Sequence, residues 1–129
     1  MSYDLMVFDP SIAPRGEPAF LDWYDRQTEW SEPHDYSDPA ITTAPLREWF
    51  MEIVKMFPPL NGPLAPPITG EENSYLTDYS IGKSAIYVAF ASSVGAEGYE
   101  TSLFLAKKHR IGFFEASESP GEIIFPTNS

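Results

Sequence analysis

The chain has 129 residues, of which 43% are hydrophobic and 15% aromatic, and its formal net charge is −11. This composition indicates one folded domain with a sizeable core and excludes an intrinsically disordered chain. Because the sequence has no cysteine, disulfides, thiolate metal sites and a cysteine nucleophile are excluded. No segment approaches the ~20 apolar residues of a transmembrane helix. The N-terminus also lacks the basic start and apolar core of a signal peptide, so we expect a soluble cytoplasmic protein.

The negative charge is concentrated at the start of the chain. Residues 1–40 contain nine acidic residues and two arginines, a net charge of −7, whereas residues 83–129 contain five acidic and four basic residues, a net charge of −1. Such a chain repels the phosphates of nucleic acid and the anionic surface of a membrane, so we expect neither as a partner. A charge-steered partner would be basic, and solubility alone is an equally good explanation.

The first predicted elements are a strand and an aromatic helix. Residues 3–8 predict a strand, and Asp9-Pro10 ends it. A helix is predicted from Glu17-Pro18 to just before Pro33. Its aromatic face repeats at helical spacing and comprises Phe20, Trp23, Tyr24, Gln27 and Trp30. Residues 32–38 then form a short acidic loop.

The second helix has clear boundary signals. Thr43 is a suitable N-cap, Pro45 fits the first turn, and an apolar stripe continues to Phe57 before Pro58-Pro59 ends the helix. The proline-rich connection that follows is too apolar for a flexible linker. We expect it to lie as an ordered segment against the domain surface.

A hairpin is predicted next. Residues 75–81 and 84–91 read as two strands around a Gly82-Lys83 turn. The second strand is apolar from Ala85 to Ala91 and rich in β-branched and aromatic residues. We therefore expect it to be buried on both faces at the centre of the sheet.

A third helix and a last hairpin complete the chain. The helix is predicted from a cap at Ser92 or Ser93 to about Lys108, with basic residues at its negative end. Its predicted inner stripe is Ala96, Tyr99, Leu103 and Ala106. Strands over 111–117 and 122–125 follow, joined by a turn at 119–121.

The element order β-α-α-β-β-α-β-β predicts an α+β fold for a single domain of residues 1–129. We expect a mainly antiparallel four- to five-stranded sheet with helices on one face. If the first two helices act as one crossover, the pattern is a variant of the ferredoxin-like split βαβ.

Gly82-Lys83-Ser84 is similar to the end of a phosphate-binding loop. However, Thr77 stands where that loop needs a glycine, and a strand follows where the loop needs a helix. Lys83 is therefore interpreted as a turn residue. Neither histidine lies near a serine in a nucleophile elbow. We predict no catalytic residue and no cofactor.

The acidic loop could also offer oxygen and nitrogen ligands to a metal. The candidate ligands are Glu32, His34, Asp35 and Asp38. Their spacing matches no zinc or calcium loop. We interpret the loop as a solvated acidic segment and predict no metal site.

Trp30 is the aromatic residue that we expect to reach the surface. An aromatic side chain inside an acidic rim can anchor a basic protein, because aromatic residues supply binding energy and carboxylates steer the encounter. The predicted partner-binding residues are Asp25, Glu29, Trp30, Glu32, Asp35 and Asp38.

Several segments together resemble a family of small bacterial proteins with no assigned activity. The resemblance covers most of the chain and lies in SYDLMVFDP, FLDWYDRQTEW, FPPLNGP, TDYSIG, YVAFA and LAKKHRIGFFEAS. It supplies no catalytic residues. In size, acidity and lack of motifs the chain is also similar to the immunity proteins that accompany bacterial toxins, which implies an inhibitor.

Three hypotheses follow. The first is a non-enzymatic acidic protein-binding module, an immunity-type inhibitor of a basic toxin domain such as a nuclease. The second is a small enzyme or ligand-binding domain with a pocket near His34 and the proline-rich loop. The third is self-association through an exposed sheet edge, most simply the fifth strand, which would give a homodimer.

Overall fold

The computed structural model describes residues 2–60, 62, 64–66, 73–118 and 121–126. Within these residues the bounds are β1 Ser2–Phe8, α1 Glu17–Gln27, α2 Ala44–Ile53, β2 Asp78–Ile81, β3 Ala85–Ala91, α3 Gly95–His109, β4 Gly112–Phe114 and β5 Ile123–Ile124. Short 3-10 helices at Pro39–Ile41 and Ser92–Val94 precede α2 and α3. The predicted α+β fold and element order are confirmed.

The strands form one antiparallel sheet in the order β2-β3-β1-β4-β5. The two strands joined by the α1–α2 crossover, β1 and β2, are separated by β3, which is the arrangement of a split βαβ unit. The central strand is β1. The strand predicted at the centre of the sheet, β3, is instead an inner strand next to β1.

β3 is fully buried on one face and partly buried on the other. Ile86, Val88 and Phe90 are fully buried, whereas on the other face Ala85 is buried and Tyr87 and Ala89 are half-buried. The prediction of burial on both faces is therefore confirmed only in part. Alanine counts as apolar in a sequence pattern, but its side chain has so little apolar area that the fold gains little from burying it completely.

The two faces of the sheet bear different helices. On β1, Leu5 and Val7 join the core beneath α2 and α3, while Met6 and Phe8 join the core beneath α1. The prediction that the helices cover one face of the sheet is therefore correct for α2 and α3 and wrong for α1, which lies on the opposite face. A strand that is apolar at every position from Leu5 to Phe8 must be covered on both sides.

α3 lies close to the sheet through its small residues. Its buried residues are Gly95, Gly98, Ser102, Leu105 and Ala106. A Cβ at Gly98 would lie 2.7 Å from the Phe90 ring, so only glycine permits this approach. The predicted stripe is wrong at Ala96, which is exposed. Hydrophobic periodicity misses a helix face built from glycine and serine.

α1 ends at Gln27, so its predicted extension through Trp30 is wrong. The Thr28 hydroxyl donates to the Tyr24 and Asp25 carbonyls at 3.1 and 3.2 Å, and Trp30 has a left-handed φ of 53°. A side chain that bonds nearby backbone carbonyls favours helix ends.

The boundaries of α2 also differ from the prediction. The helix ends at Ile53, although the Phe57 amide still donates to the Ile53 carbonyl at 2.8 Å. Thr43 occupies the N-cap, but its hydroxyl makes no cap bond and is buried without a hydrogen-bond partner among the described residues.

The outer edge of β2 is covered by loops. Thr77 forms an isolated parallel bridge with Pro59, and the Ile81 amide donates to the Tyr36 carbonyl at 2.7 Å. These contacts protect an edge strand against pairing with other chains. Residues 61, 63 and 67–70 of the proline-rich connection (61–70) lie outside the described residues, as do the predicted turn residues 119–120.

Candidate functional site

The segment after α1, residues 29–38, carries Trp30 and the acidic loop of residues 32–38, and it is bound to the sheet beside the β2–β3 turn. In addition to the Tyr36–Ile81 bond, the Lys83 amide donates to the Glu32 carboxylate at 3.0 Å. The Glu32 amide donates to the Tyr36 hydroxyl at 2.8 Å. Lys83 is a turn residue, as its sequence position predicts. These bonds give the loop a fixed conformation.

Trp30 is presented at the surface by this loop. It is 41% exposed, and its ring makes edge-on contacts with Tyr36 and Tyr87 at centroid distances of 5.3 and 5.9 Å. Its φ of 53° lies in the left-handed region, which costs roughly 1–2 kcal/mol for a residue with a Cβ. The two tyrosine contacts and the loop bonds maintain this conformation.

Tyr87 connects Trp30 to β1. Its hydroxyl donates to the Asp4 carboxylate at 2.5 Å, and the Ser2 hydroxyl donates to the other Asp4 oxygen at 2.6 Å. Burial and the Asp4 bond raise the pKa of Tyr87. The tyrosine therefore stays neutral and holds its ring against Trp30.

Glu32, a predicted partner-binding residue, has a structural role. Its carboxylate accepts the Lys83 amide and contacts the His34 imidazole. Hydrogen bonds to the Asp35 carbonyl and to Glu32 raise the pKa of His34. The pair stabilises the loop close to the hairpin turn.

Two more of the predicted acids organise the loop backbone. The Asp35 carboxylate accepts from the Ser37 amide and hydroxyl at 3.2 and 3.0 Å. The Asp38 carboxylate accepts the Ala40 amide at 2.9 Å and caps the 3-10 helix. Both side chains remain exposed, so their negative charge still faces solvent.

Asp25 and Glu29 differ from the other three predicted acidic residues. Both are exposed, and neither carboxylate makes a hydrogen bond or ion pair with another described residue. They lie four residues apart across the end of α1, on either side of the turn that leads to Trp30. Of the six predicted residues, these two and Trp30 are available for a partner.

Three supporting residues escaped the sequence prediction. Tyr36 and Tyr87 hold the Trp30 ring, and Arg47 donates to the carbonyls of Pro39, Ala40 and Thr42 at 2.8–3.3 Å. The signal for Tyr87 was its place on the less apolar face of an alternating strand. For Arg47 the sequence offered only a position on the polar side of α2.

Cavities also lie elsewhere in the described part of the domain, among them three of about 370–590 Å³. The first, of about 590 Å³, is lined by Ser2, Tyr3, Ser92, Gly95, Ala96, Tyr99, Glu100, Glu115 and Ser117. Here the Tyr3 hydroxyl donates to Glu115 at 2.6 Å, and burial together with this bond raises the pKa of Tyr3. The second, of about 370 Å³, lies between α3 and the β4–β5 end of the sheet.

The third cavity, of about 470 Å³, is the groove between α2 and α3. None of the three has His34 or a described residue of the proline-rich connection in its lining. The hypothesis of a pocket near His34 therefore has no support from these cavities.

Among the described residues, no helix is long and apolar enough to cross a membrane. In the same part of the chain, no three or more His, Asp or Glu side chains are grouped so as to hold a metal ion.

Comparisons with known proteins give no relative. No family model, no curated protein and no solved structure matches the chain. The resemblances to a family of small bacterial proteins and to immunity proteins therefore stay predictions.

Proposed function

We propose that this protein is a non-enzymatic module that binds a basic protein through Trp30 and the carboxylates around it. The observation that supports this most directly is the exposure of the Trp30 ring in a fixed position. A large aromatic side chain is 41% exposed on a backbone conformation that disfavours it, between two tyrosine rings that fix its position. Strained residues that the surroundings hold in place are typical of binding and catalytic sites.

A rigid aromatic anchor suits protein recognition. Tryptophan is enriched among residues that dominate binding energy, and a ring held in its bound position loses little entropy on association. Trp30 is held by Tyr36 and Tyr87, and Tyr87 is itself held by Asp4. The partner would therefore meet a preformed surface.

The charge around Trp30 selects the partner. Asp25 and Glu29 are exposed and unengaged within the described residues, and Asp35 and Asp38 add exposed negative charge nearby in the chain. Carboxylates around an apolar anchor accelerate encounter with a basic surface and disfavour acidic ones. The chain's net charge of −11 acts in the same direction.

In its specific form, the proposal is an immunity-type inhibitor that acts in the cytoplasm on a basic toxin domain such as a nuclease. An enzyme that binds nucleic acid needs a basic surface. An acidic protein with an aromatic anchor can cover such a surface and block substrate access.

The first test is capture from a lysate of the native host with wild-type protein and two charge variants. One bait carries Asp25→Asn and Glu29→Gln, and its matched control carries Glu17→Gln and Asp22→Asn, also exposed on α1. We expect a stoichiometric basic protein on the wild type and the control, and several-fold less on the first variant.

Association kinetics with the captured protein then test charge steering. At about 0.5 M salt the screening length falls to roughly 4 Å, so the association rate should drop sharply while the dissociation rate changes little. Equal capture by both charge variants, together with a salt-independent association rate, would show that the acidic surface does not select the partner.

A ligand-binding function is the second candidate, and the cavity of about 590 Å³ favours it. Its lining includes the rings of Tyr3 and Tyr99 and the carboxylates of Glu100 and Glu115, with no basic residue. These groups suit an organic cation. Titration with spermidine, followed by amide NMR, would support this function only if saturable shifts are confined to the cavity and are lost in Tyr99→Leu.

A further inference from the structure

We propose that the groove between α2 and α3 is the contact surface of a homodimer, in which each chain packs its helices against the groove of the other. The groove has a volume of about 470 Å³. It is lined by Glu52, Lys55, Met56, Glu100, Thr101, Phe104 and Leu105. Neither Trp30 nor the acidic residues near it line the groove, so each proposal can be tested without the other.

The groove exposes large apolar side chains. Phe104 on α3 is 69% exposed, and Met56, in the turn after α2, is 58% exposed on the facing wall of the groove. Met51, on α2, is 44% exposed. Aromatic and methionine side chains are enriched in protein interfaces, and an exposed apolar cluster rimmed by charges is typical of a contact site.

The groove is preformed. The buried Trp49 indole donates to the Ser102 carbonyl at 3.2 Å, and the Lys108 ammonium donates to the Glu52 carboxylate at 2.7 Å. The His109 imidazole contacts the same carboxylate. These contacts join α2 to α3, so a partner finds the walls already in place and binding requires little rearrangement.

Local charge identifies a second copy as the occupant. The walls carry Lys55 in the turn after α2 and Glu100 on α3, and neither forms an ion pair with another described residue. Glu52 is neutralised by Lys108 and His109, and hydrogen bonds from both lower its pKa. The groove is therefore close to neutral, on a chain whose net charge is −11.

A self-complementary charge pair follows from twofold symmetry. In a twofold dimer, a contact between residue i and residue j of the other copy occurs twice. Lys55 can thus face Glu100 of the second copy on both sides of a central Phe104 cluster. A strongly basic partner gains less here, because Lys55 opposes it, whereas a copy of this chain is repelled from the acidic Trp30 surface.

The edge of β5 is a weaker route to a dimer. This strand has only two residues, Ile123 and Ile124, and both are partly buried. A two-residue edge offers few backbone hydrogen bonds to a second chain. The described helices α2 and α3 offer the larger apolar surface.

Sedimentation equilibrium of the pure protein, from micromolar to near-millimolar concentration, tests the proposal. We expect a reversible dimer for the wild type, and a dimer Kd at least about tenfold weaker for Phe104→Glu. Leu21→Glu is the matched control, since Leu21 is an exposed apolar residue on α1 and the charge change is the same. The control should dimerise like the wild type.

Exchanging the charges at positions 55 and 100 tests whether Lys55 faces Glu100 of the second copy. Lys55→Glu and Glu100→Lys should each weaken the dimer about fivefold or more, and the double variant should recover most of the wild-type Kd. A structural effect of either change would not be rescued by the other. A monomer at all concentrations, or a wild-type Kd in Phe104→Glu, would overturn the proposal and leave the Trp30 surface untouched.

Discussion

The two faces of the sheet are covered to different degrees. Among the described residues, seventeen buried side chains form the core between the sheet and α2 and α3, against seven beneath α1. The larger core contains Trp49, Phe50, Phe57 and Phe90, all almost completely buried. The smaller one depends on a compact aromatic group that includes Phe8, Phe20 and Trp23.

The uncovered part of the α1 face is where Trp30 lies. Tyr87 and Ala89 of β3 remain half-buried on this face, and the Tyr87 ring contacts both Tyr24 of α1 and Trp30. The difference suggests a division of roles. The α2–α3 face provides most of the burial that stabilises the domain, and the α1 face leaves aromatic and acidic side chains available to a partner.

Gly98→Ala should produce the largest loss of stability, because it acts on the dense face. The added Cβ would lie 2.7 Å from the Phe90 ring, inside a packed core. We expect the free energy of unfolding to fall by about 2 kcal/mol, since overpacking outweighs the gain in helix propensity. Gly16→Ala, with no atom within 4 Å of the new Cβ, is the control for urea denaturation. Similar stabilities for both variants would contradict close packing of α3.

Trp30→Gly and Trp30→Ala compare the cost of the left-handed backbone on the open face. Both remove the ring contacts, but only alanine retains a Cβ at a φ of 53°. Trp30→Gly should therefore be more stable than Trp30→Ala by about 1 kcal/mol in urea denaturation. If alanine were the more stable, the loop would not hold Trp30 in a strained conformation.

Ser102→Ala should stabilise the protein. Ser102 is fully buried, and its hydroxyl has no hydrogen-bond partner among the described residues. Removing an unsatisfied buried hydroxyl and adding a good helix former should raise the free energy of unfolding by about 1 kcal/mol. Ser93→Ala, at an exposed position, should change it by less than about 0.5 kcal/mol. A less stable Ser102→Ala variant would point to a hydrogen bond at this hydroxyl.

The smallest expected effect is a pH dependence in the acidic loop. The bonds of His34 to the Asp35 carbonyl and to Glu32 raise its pKa above the ordinary value. A raised pKa in the folded state contributes stability below the ordinary histidine pKa of about 6.5, and this contribution is lost as the pH rises through the raised value. His34 packs against Tyr36, so the Tyr36–Trp30 contact should loosen slightly as the pH rises through the raised His34 pKa.

NMR titration of a His109→Gln variant isolates the His34 signal, because the chain has two histidines. Glu32→Gln should move the His34 pKa back toward its ordinary value while a side-chain oxygen can still accept the Lys83 amide. If the His34 pKa in the His109→Gln variant lies at or below the ordinary histidine value, the imidazole does not bind Glu32 in solution.

The sequence predicted the order of elements because hydrophobic period and turn residues are local signals. The Gly82-Lys83 turn and the apolar stripe of α2 are examples. It missed the side on which α1 packs, although an uninterrupted apolar run from Leu5 to Phe8 requires cover on both faces. The face of α3 was misassigned because Gly98 and Ser102 contribute close contact rather than hydrophobic area.

The candidate site was predicted in part. The exposure of Trp30 followed from its place beside acidic residues at the end of an aromatic pattern. Its left-handed backbone did not, because the helical spacing of Trp30 with Trp23 favoured a longer helix. The structural roles of Glu32, Asp35 and Asp38 depend on amides that only the folded loop brings within reach.

The most direct test of the central claim uses Trp30→Ala and measures two quantities on the same sample. One is affinity for the captured basic protein, and the other is the free energy of unfolding. Leu21→Ala, another exposed apolar residue on the α1 side, is the control. We predict a loss of binding of at least about 2 kcal/mol for Trp30→Ala, with a smaller loss of stability, and unchanged binding for the control. Wild-type affinity in Trp30→Ala would contradict the assignment of the α1 face as the binding surface.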